Sequence, residues 1–341
     1  MLQRAQLQDR AMGALMGVAL GDALGMPAQT LTRSEILKHY GTITSFVPPY
    51  DDHPVSHGLG TAMVTDDTEQ TLLLAQQIIA GPDRFDDALW ADVLIRWERD
   101  VRARGLRDLL GPSSKAALEG LASGKPADQV GRSGTTNGAA MRIIPVGIST
   151  PPDDLAALVG RVTEACRLTH NTGEAIAAAA AVAVVVSLGV AGFGFDATLA
   201  LALDAARLGN RQGAPVGEAD MAGRIALALR IAEAGDEATL AREIGTSVAS
   251  RCSVAAAFGV VRLAKGDPWQ TALIAANIGD DTDTIGAIAV GMAGACAGFG
   301  AFPRDRVEQV VRANALDLGP LVDGLLQVRK RRERQTTKVV S

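Results

Sequence analysis

Apolar positions follow helical spacing along most of the chain, and long segments lack the strict alternation of a half-buried strand. Alanine and leucine are abundant, and both are strong helix formers. The pattern predicts helices over Arg4–Leu20, Arg33–His39, Glu69–Ala80, Phe85–Val101, Ser113–Ala122, Asp153–Thr169 and Gly173–Leu188. It continues with Ala197–Leu208, Gly217–Ala234, Glu237–Ser250, Ser253–Leu263, Pro268–Ala276 and Thr284–Gly298. Breaker-rich stretches separate them: Pro48–Gly60, Gly131–Gly138, Pro151–Pro152 and Gly209–Pro215. No internal repeat and no linker long enough to divide the chain is visible, so one all-α domain over residues 1–341 is predicted. The basic run Arg329-Lys330-Arg331-Arg332 reads as a solvated helix end leading into a frayed tail, 329–341.

Two uncharged stretches, Ala175–Phe195 and Ile285–Pro303, approach the length that spans a bilayer. Alanine and glycine dominate both, and neither is flanked by a clear Lys/Arg asymmetry. All-round apolarity equally marks the central helices of a large helical protein, and that reading is preferred here. Gly286, Gly291, Gly294 and Gly298, like Gly13, Gly17 and Gly21 in the first helix, would let backbones approach closely.

Composition narrows the function classes. Hydrophobic residues make up 48% and charged residues 21%, which is globular and not disordered. A net charge of -5 gives no reason to expect a nucleic-acid surface. Met1–Arg10 is polar and mixed in charge, unlike a secretory signal. The three cysteines, Cys166, Cys252 and Cys296, are odd in number and lack metal-type spacing. Reduced thiols in a cytoplasmic protein are therefore expected, with no membrane partner.

Two acidic clusters carry the chemistry: Thr65-Asp66-Asp67-Thr68 and Asp280-Asp281-Thr282-Asp283-Thr284. Each opens an apolar helical stretch, where Thr and Asp are favoured caps and Asp66-x-x-Glu69 has the form of a capping box. A cap needs one oxygen, whereas the second cluster packs three aspartates and two threonines into five residues. That much like charge repels unless a cation neutralises it. Asp281 and Asp283, two apart, do not share a helix face, so an irregular loop before the helix is expected to turn both toward one ion. Carboxylates and hydroxyls are hard donors suited to Mg²⁺, Mn²⁺ or Ca²⁺.

Other loops hold further candidates. Ser133-Gly134-Thr135-Thr136-Asn137-Gly138 is rich in amide and hydroxyl donors, and its residues fit a phosphate cradle or a plain turn equally well. Thr169-His170-Asn171 joins two helices, and a lone histidine there is more often structural than catalytic.

As a set, these features resemble the ADP-ribosylglycohydrolase family, the group that includes the dinitrogenase reductase-activating glycohydrolases. The resemblance runs in order from Gly17-x-x-x-Gly21-Asp22-Ala23-Leu24-Gly25 through Thr65-Asp66-Asp67-Thr68 and Asn137-Gly138-Ala139-Ala140-Met141-Arg142 to Thr169-His170. It closes on Gly279-Asp280-Asp281-Thr282-Asp283-Thr284 and so spans nearly the whole chain. It implies a compact many-helix orthogonal bundle with a binuclear Mg²⁺ or Mn²⁺ site in a central cleft. Thr65, Asp66, Asp67, Asp281, Asp283 and Thr284 match that family's metal ligands. The implied reaction is hydrolysis at the anomeric carbon of an ADP-ribosyl or ribosyl conjugate, with an ADP-ribosylated protein among the candidate substrates. Asp66 or Asp67 would receive the proton of the attacking water. Ser133, Gly134, Thr135, Thr136, Asn137, Gly138, Met141 and His170 would line the pocket for ribose and diphosphate.

Two positions depart from the family pattern. Where Gly-Asp-Ala-Leu-Gly-x-Pro-x-Glu is common, this chain has Gln29, placed at the catalytic site but unable to act as a base. Asp280 stands where glycine is common. Gln29 leaves two alternatives beside the main reading: hydrolysis of a small N-ribosyl metabolite such as a nucleoside, or binding of ADP-ribose or a nucleotide without turnover.

Overall fold

The computed structural model describes residues 3–106, 110–216 and 220–340, with side chains described up to residue 335. Among these residues the secondary structure is helical, and extended pairing is limited to the isolated bridges Leu31–Asp280, Thr136–Ala249 and Thr172–Ala214. In chain order the helices are α1 (Arg4–Gly25), α2 (Arg33–Tyr40), α3 (Asp66–Ala80), α4 (Asp87–Ala103), α5 (Pro112–Ala122) and α6 (Ala127–Val130). There follow α7 (Gly138–Met141), α8 (Ile144–Ser149), α9 (Leu155–Cys166), α10 (Gly173–Val190), α11 (Phe195–Gly209) and α12 (Met221–Ala234). The last six are α13 (Glu237–Ile244), α14 (Ser250–Leu263), α15 (Pro268–Asn277), α16 (Thr282–Ala297), α17 (Arg304–Asn314) and α18 (Gly319–Val340).

The first and sixteenth helices form the axis of the fold. Gly13, Gly17, Gly21 and Gly25 present one face of α1 to α16, so close that side chains have no room. A Cβ on Gly17 would lie 2.3 Å from the carbonyl oxygen of Val290, and one on Gly21 would lie 2.1 Å from that of Gly286. The reverse contacts are equally tight: a Cβ on Gly294 would sit 2.1 Å from the Gly13 oxygen. These glycines therefore do not end the first helix. It continues to Gly25 because they pack against α16 instead of breaking the backbone. Every residue of α10 is buried, the main hydrophobic core draws on residues from Ala11 to Val328, and a smaller cluster gathers Met26, Leu59, Trp97, Val101 and Leu106.

Both uncharged stretches are largely buried within this structure. Two helical segments, Arg4–Ala28 and Gly173–Val190, are long and apolar enough to cross a membrane, but 94% and 100% of their apolar windows are buried inside the protein. The second uncharged stretch is shorter than its composition suggests, since α16 ends at Ala297 before Gly298 (φ 92°).

Several expected boundaries shift. The stretch Glu237–Ser250 is not one helix: α13 ends at Gly245, whose φ of 78° suits glycine, and α14 begins at Ser250. Asp153–Thr169 shortens to α9, which frees Thr169 and His170 for a turn. Residues 217–219, the expected start of Gly217–Ala234, lie outside the described residues, and α12 begins after its Asp220 cap. Two C-terminal helices, α17 and α18, lie beyond the predicted set.

The basic run is solvated only in part: Lys330 and Arg331 are exposed, but Arg329 and Arg332 turn inward. Arg329 is 3% exposed and donates to the carbonyl oxygens of Ile148 (3.2 Å), Thr150 (3.0 Å) and Ser187 (3.3 Å), while Arg332 donates to Ser149 and Thr150. These guanidinium groups add donors to carbonyls at the ends of α8 and α10, where the helix dipole favours a cation. Arg10 adds donors at the same end of α10, on Gly189, and at the end of α16, on Cys296. Cys166 and Cys296 are buried free thiols, and Cys252 is a half-buried one.

Candidate active site

Where the α1–α16 seam ends, polar groups replace glycine. Asp22, in the last turn of α1, is fully buried and takes hydrogen bonds from the start of α3. The Thr65 amide (2.9 Å) and hydroxyl (2.8 Å), and the Thr68 amide (3.1 Å) and hydroxyl (2.6 Å), all donate to its carboxylate. Thr65 is the N-cap of α3, so its capping role and its place in the acidic cluster hold at once. Asp66 and Asp67 follow in the first turn. Glu69 plays no part in a capping box: it accepts from Arg104 at 2.8 Å and from the Trp97 indole at 2.6 Å.

Opposite stands the second cluster. Asp281 is the N-cap residue of α16, but its side chain makes no cap bond, and Asp283 already lies in the first helical turn. The expected irregular loop is thus shorter than predicted, with the two carboxylates on either side of the cap boundary. The clusters meet through Thr284, whose hydroxyl donates to Asp67 Oδ2 at 3.3 Å across 217 residues of sequence. Thr65 Oγ1 lies 3.3 Å from the same oxygen, and Asn137 Nδ2 donates to Asp281 Oδ2. Asp280 points away. It is exposed, with φ 63°, and its backbone pairs with that of Thr30 and Leu31, each bond 2.7 Å. A left-handed conformation explains why glycine would suit this position, and aspartate is among the few other residues that adopt it readily.

The donor-rich loop is held on two sides. The Asn137 amide donates to the Val248 oxygen at 2.9 Å, the Ser250 amide to the Thr135 oxygen at 3.0 Å, and Thr172 Oγ1 to the Gly134 oxygen at 2.7 Å. Gly134 has no room for a side chain, since a Cβ would lie 2.2 Å from the Thr169 oxygen. Gly138 faces the His170 ring, which is fully buried and 3.1 Å from Thr136 Oγ1. Ser133 is exposed, whereas Met141 is buried and its carbonyl accepts from Thr71 Oγ1 at 3.3 Å. The break between α13 and α14 is what makes this possible: Val248 and Ala249 brace the loop, and the Thr246 oxygen accepts from the Asp281 amide at 3.1 Å.

A family model described as ADP-ribosylglycohydrolase matches residues 3–335. The chain belongs to the ADP-ribosylglycohydrolase family. It is 33% identical over 330 residues to an Escherichia coli protein designated YegU, covering 95% of this chain and 98% of that one. It is 29% identical to the ADP-ribosylarginine hydrolase Tri1 of Pseudomonas putida over 310 residues, 89% of this chain and 75% of the relative. A solved ADP-ribosylglycohydrolase-related protein complex superimposes with a TM-score of 0.66 at 26% identity, covering 96% of this chain and 99% of that one. As a member of this family the protein is a glycosyl hydrolase acting on ADP-ribosyl conjugates.

Electrostatics single out the same corner of this ADP-ribosylglycohydrolase. Burial, and then mutual repulsion, pushes the carboxyls of Asp66, Asp67 and Asp283 well above the usual range. Burial raises Asp22 to about 6, against the hydrogen bonds from Thr68, and burial together with repulsion from Asp280 raises Asp281 to about 7, against the hydrogen bond from Asn137. Among the described residues no three His, Cys, Asp or Glu side chains stand ready-made around an ion. The donors here are mixed carboxylates and hydroxyls. Asp67 Oδ1 is buried and has no hydrogen-bond partner, although its sister oxygen has two neighbouring hydroxyls. A buried carboxylate oxygen without a donor calls for a cation. Hard oxygen ligands in this arrangement fit a divalent ion of the Mg²⁺ or Mn²⁺ type.

Gln29 lies in the turn after α1, 8% exposed, with its Nε2 donating to Ser56 Oγ at 2.9 Å; Ser56 in turn donates to the Met26 oxygen at 2.8 Å. Its amide is therefore pinned by a neighbouring hydroxyl. Three participants escaped the sequence-based site. Asp22 and Arg142 stood within quoted motifs without a role, and Gln70 carried no signal beyond its place one turn after Asp66.

Proposed function

We propose that this family member hydrolyses the anomeric bond of an ADP-ribosyl conjugate at the junction of the two acidic clusters. Thr65, Asp66, Asp67, Asp281, Asp283 and Thr284 would hold two divalent cations, Mg²⁺ or Mn²⁺. The observation that carries this reading is the Asp67–Thr284 contact, with the partnerless Asp67 Oδ1 beside it. Bound divalent cations orient vicinal ribose hydroxyls and lower the pKa of a coordinated water.

The protein's own groups supply the rest. Cleavage of a ribosyl–nitrogen bond passes through an oxocarbenium-like state, so the sugar must be held rigidly. Asp66, half-buried and held by a 3.3 Å bond from Gln70 Nε2 and by its own backbone amide, would take the proton of the attacking water. Asp67 is held between two threonine hydroxyls and serves to position. Asn137 links the acidic cluster to the 133–138 loop, which, with Met141 and His170, would enclose ribose and diphosphate. The relatives named for ADP-ribosylarginine and for ADP-ribosyl-[dinitrogen reductase], the latter from Rhodospirillum rubrum and 30% identical over 181 residues (48% of this chain, 52% of the relative), make an ADP-ribosylated arginine on a protein the first substrate to test.

Gln29 supports a second reading of the substrate. A pinned amide that cannot exchange a proton suits a small neutral N-ribosyl compound better than a charged guanidine conjugate. The deciding experiment compares release of ADP-ribose from ADP-ribosylarginine peptides with hydrolysis of free nucleosides, with Mg²⁺, with Mn²⁺ and with chelator. Cation-dependent release from the peptide supports the first reading, nucleoside turnover alone supports the second, and activity unaffected by chelator contradicts both. Three free thiols and an acidic composition agree with a cytoplasmic setting.

A further inference from the structure

Arg142 is a fully buried guanidinium with no carboxylate within ion-pair distance among the described residues. It is 1% exposed, stacks over Trp90 at 5.7 Å, and spends its terminal nitrogens on two neutral groups: Gln70 Oε1 at 2.9 Å and Thr169 Oγ1 at 2.5 Å. Because arginine only donates, each contact fixes the direction of everything beyond it. Gln70 must turn its oxygen to Arg142, so it presents Nε2 to Asp66. Thr169 has accepted from Arg142, and its own proton has one acceptor within reach, His170 Nδ1 at 2.7 Å. A proton on Nδ1 would instead orphan the buried Thr169 hydroxyl and point toward a cation. The ring proton therefore resides on Nε2 and is donated to Thr136 Oγ1 at 3.1 Å. Thr136 in turn donates to Ser113 Oγ at 2.8 Å, and the Thr136 amide approaches the same oxygen at 3.4 Å. Ser113, half-buried, is left with a hydroxyl proton that has no acceptor among the described residues.

We infer that Arg142 is a positioning residue that sets the proton direction of the chain Thr169–His170–Thr136–Ser113, and that Ser113 is a substrate-binding donor at its end. The second half rests on the functional reading above, and its acceptor is an oxygen of the ADP-ribosyl group. His170 on this account is a fixed neutral donor and takes no part as an acid or base; burial beside Arg142 pushes its pKa well below the usual value, in agreement.

Nitrogen-15 NMR of the four histidines, with His170 assigned by its absence in His170→Gln, reads the ring state without metal or substrate. Wild type is expected to show His170 protonated on Nε2 alone between pH 5.5 and 8. Thr169→Val, which keeps the shape and removes the donor to Nδ1, should yield a mixture of tautomers, as should Arg142→Met if it folds. A ring protonated on Nδ1, or an imidazolium, in wild type would overturn the inference. So would an unchanged tautomer in Thr169→Val. Calorimetric binding of ADP-ribose then tests the end of the chain. Ser113→Ala should weaken binding about tenfold, and Ser113→Thr should restore it. Equal affinity of Ser113→Ala and wild type overturns the Ser113 role. Failure of wild type to bind ADP-ribose overturns the functional reading and the Ser113 role together, while the tautomer still decides the role of Arg142.

Discussion

The seam between α1 and α16 and the mouth at its end are built by the same two helices on opposite principles. Along the seam glycine removes side-chain bulk and backbone lies directly on backbone. At the mouth, Asp22 from one helix and Asp281 and Asp283 from the other are forced into burial beside Asp66 and Asp67. The seam is arranged for stability and the mouth against it. What the pair teaches is that rigid backbone contact upstream permits like charges to be held together downstream, ready for a cation.

Gly21→Val should separate the two regions most sharply. Its side chain would meet the Gly286 backbone, where a Cβ alone falls at 2.1 Å. Overpacking commonly costs about 1–3 kcal/mol, and here neither backbone can yield, so a loss above about 3 kcal/mol is expected in denaturant unfolding. A stability close to wild type would show that the seam does not govern the mouth.

Asp67→Asn and Asp283→Asn should do the reverse. Hydrolysis is expected to fall at least about 100-fold, as for loss of a group acting directly at the reacting centre. The metal-free variants should melt at or above the wild-type temperature, because a repelled buried charge has gone. Lower melting in both would mean that these carboxylates serve the fold.

The third test is pH. Asp22 and Asp281 have native values raised to about 6 and 7 from 3.8. The native state then binds more protons than the unfolded state over that interval, so stability of the metal-free protein is full below about pH 4 as far as these groups are concerned and falls as pH rises through 6 and 7. At ~1.4 kcal/mol per unit the expected loss is several kcal/mol for the two groups together, and divalent cation should restore it increasingly toward neutral pH. Unfolding curves at pH 4.5, 6 and 7.5, with and without Mn²⁺, measure this; a metal-free stability that rises over the range contradicts it.

Asp280→Gly should give the smallest change. The residue is exposed and left-handed, so glycine relieves backbone strain by up to about 1 kcal/mol while removing an exposed charge that only modestly repels Asp281. A marked gain or loss of activity would show that Asp280 belongs to the mouth after all.

How much of this was legible in the sequence follows the same division. Apolar periodicity and glycine spacing revealed the helices and their close packing, because those features act locally. The two acidic clusters were visible because aspartate is costly to crowd, and five motifs in order identified the family. The break at Gly245 was hidden, since Glu237–Ser250 is helix-compatible throughout and only its contacts with Asn137, Thr135 and Asp281 hold it open. Arg329 read as a tail because its partners, carbonyls of α8 and α10, lie about 180 and 140 residues away. Arg142 and Gln70 matter through their hydrogen-bond partners, which no spacing rule records.

The most direct test of the central claim is a crystal structure of the protein soaked in Mn²⁺, read by anomalous scattering. Manganese should lie against Asp67 Oδ1, with ligands from both Thr65–Asp67 and Asp281–Thr284. Manganese absent from that junction, or bound elsewhere with Asp67 Oδ1 still without a partner, would contradict it.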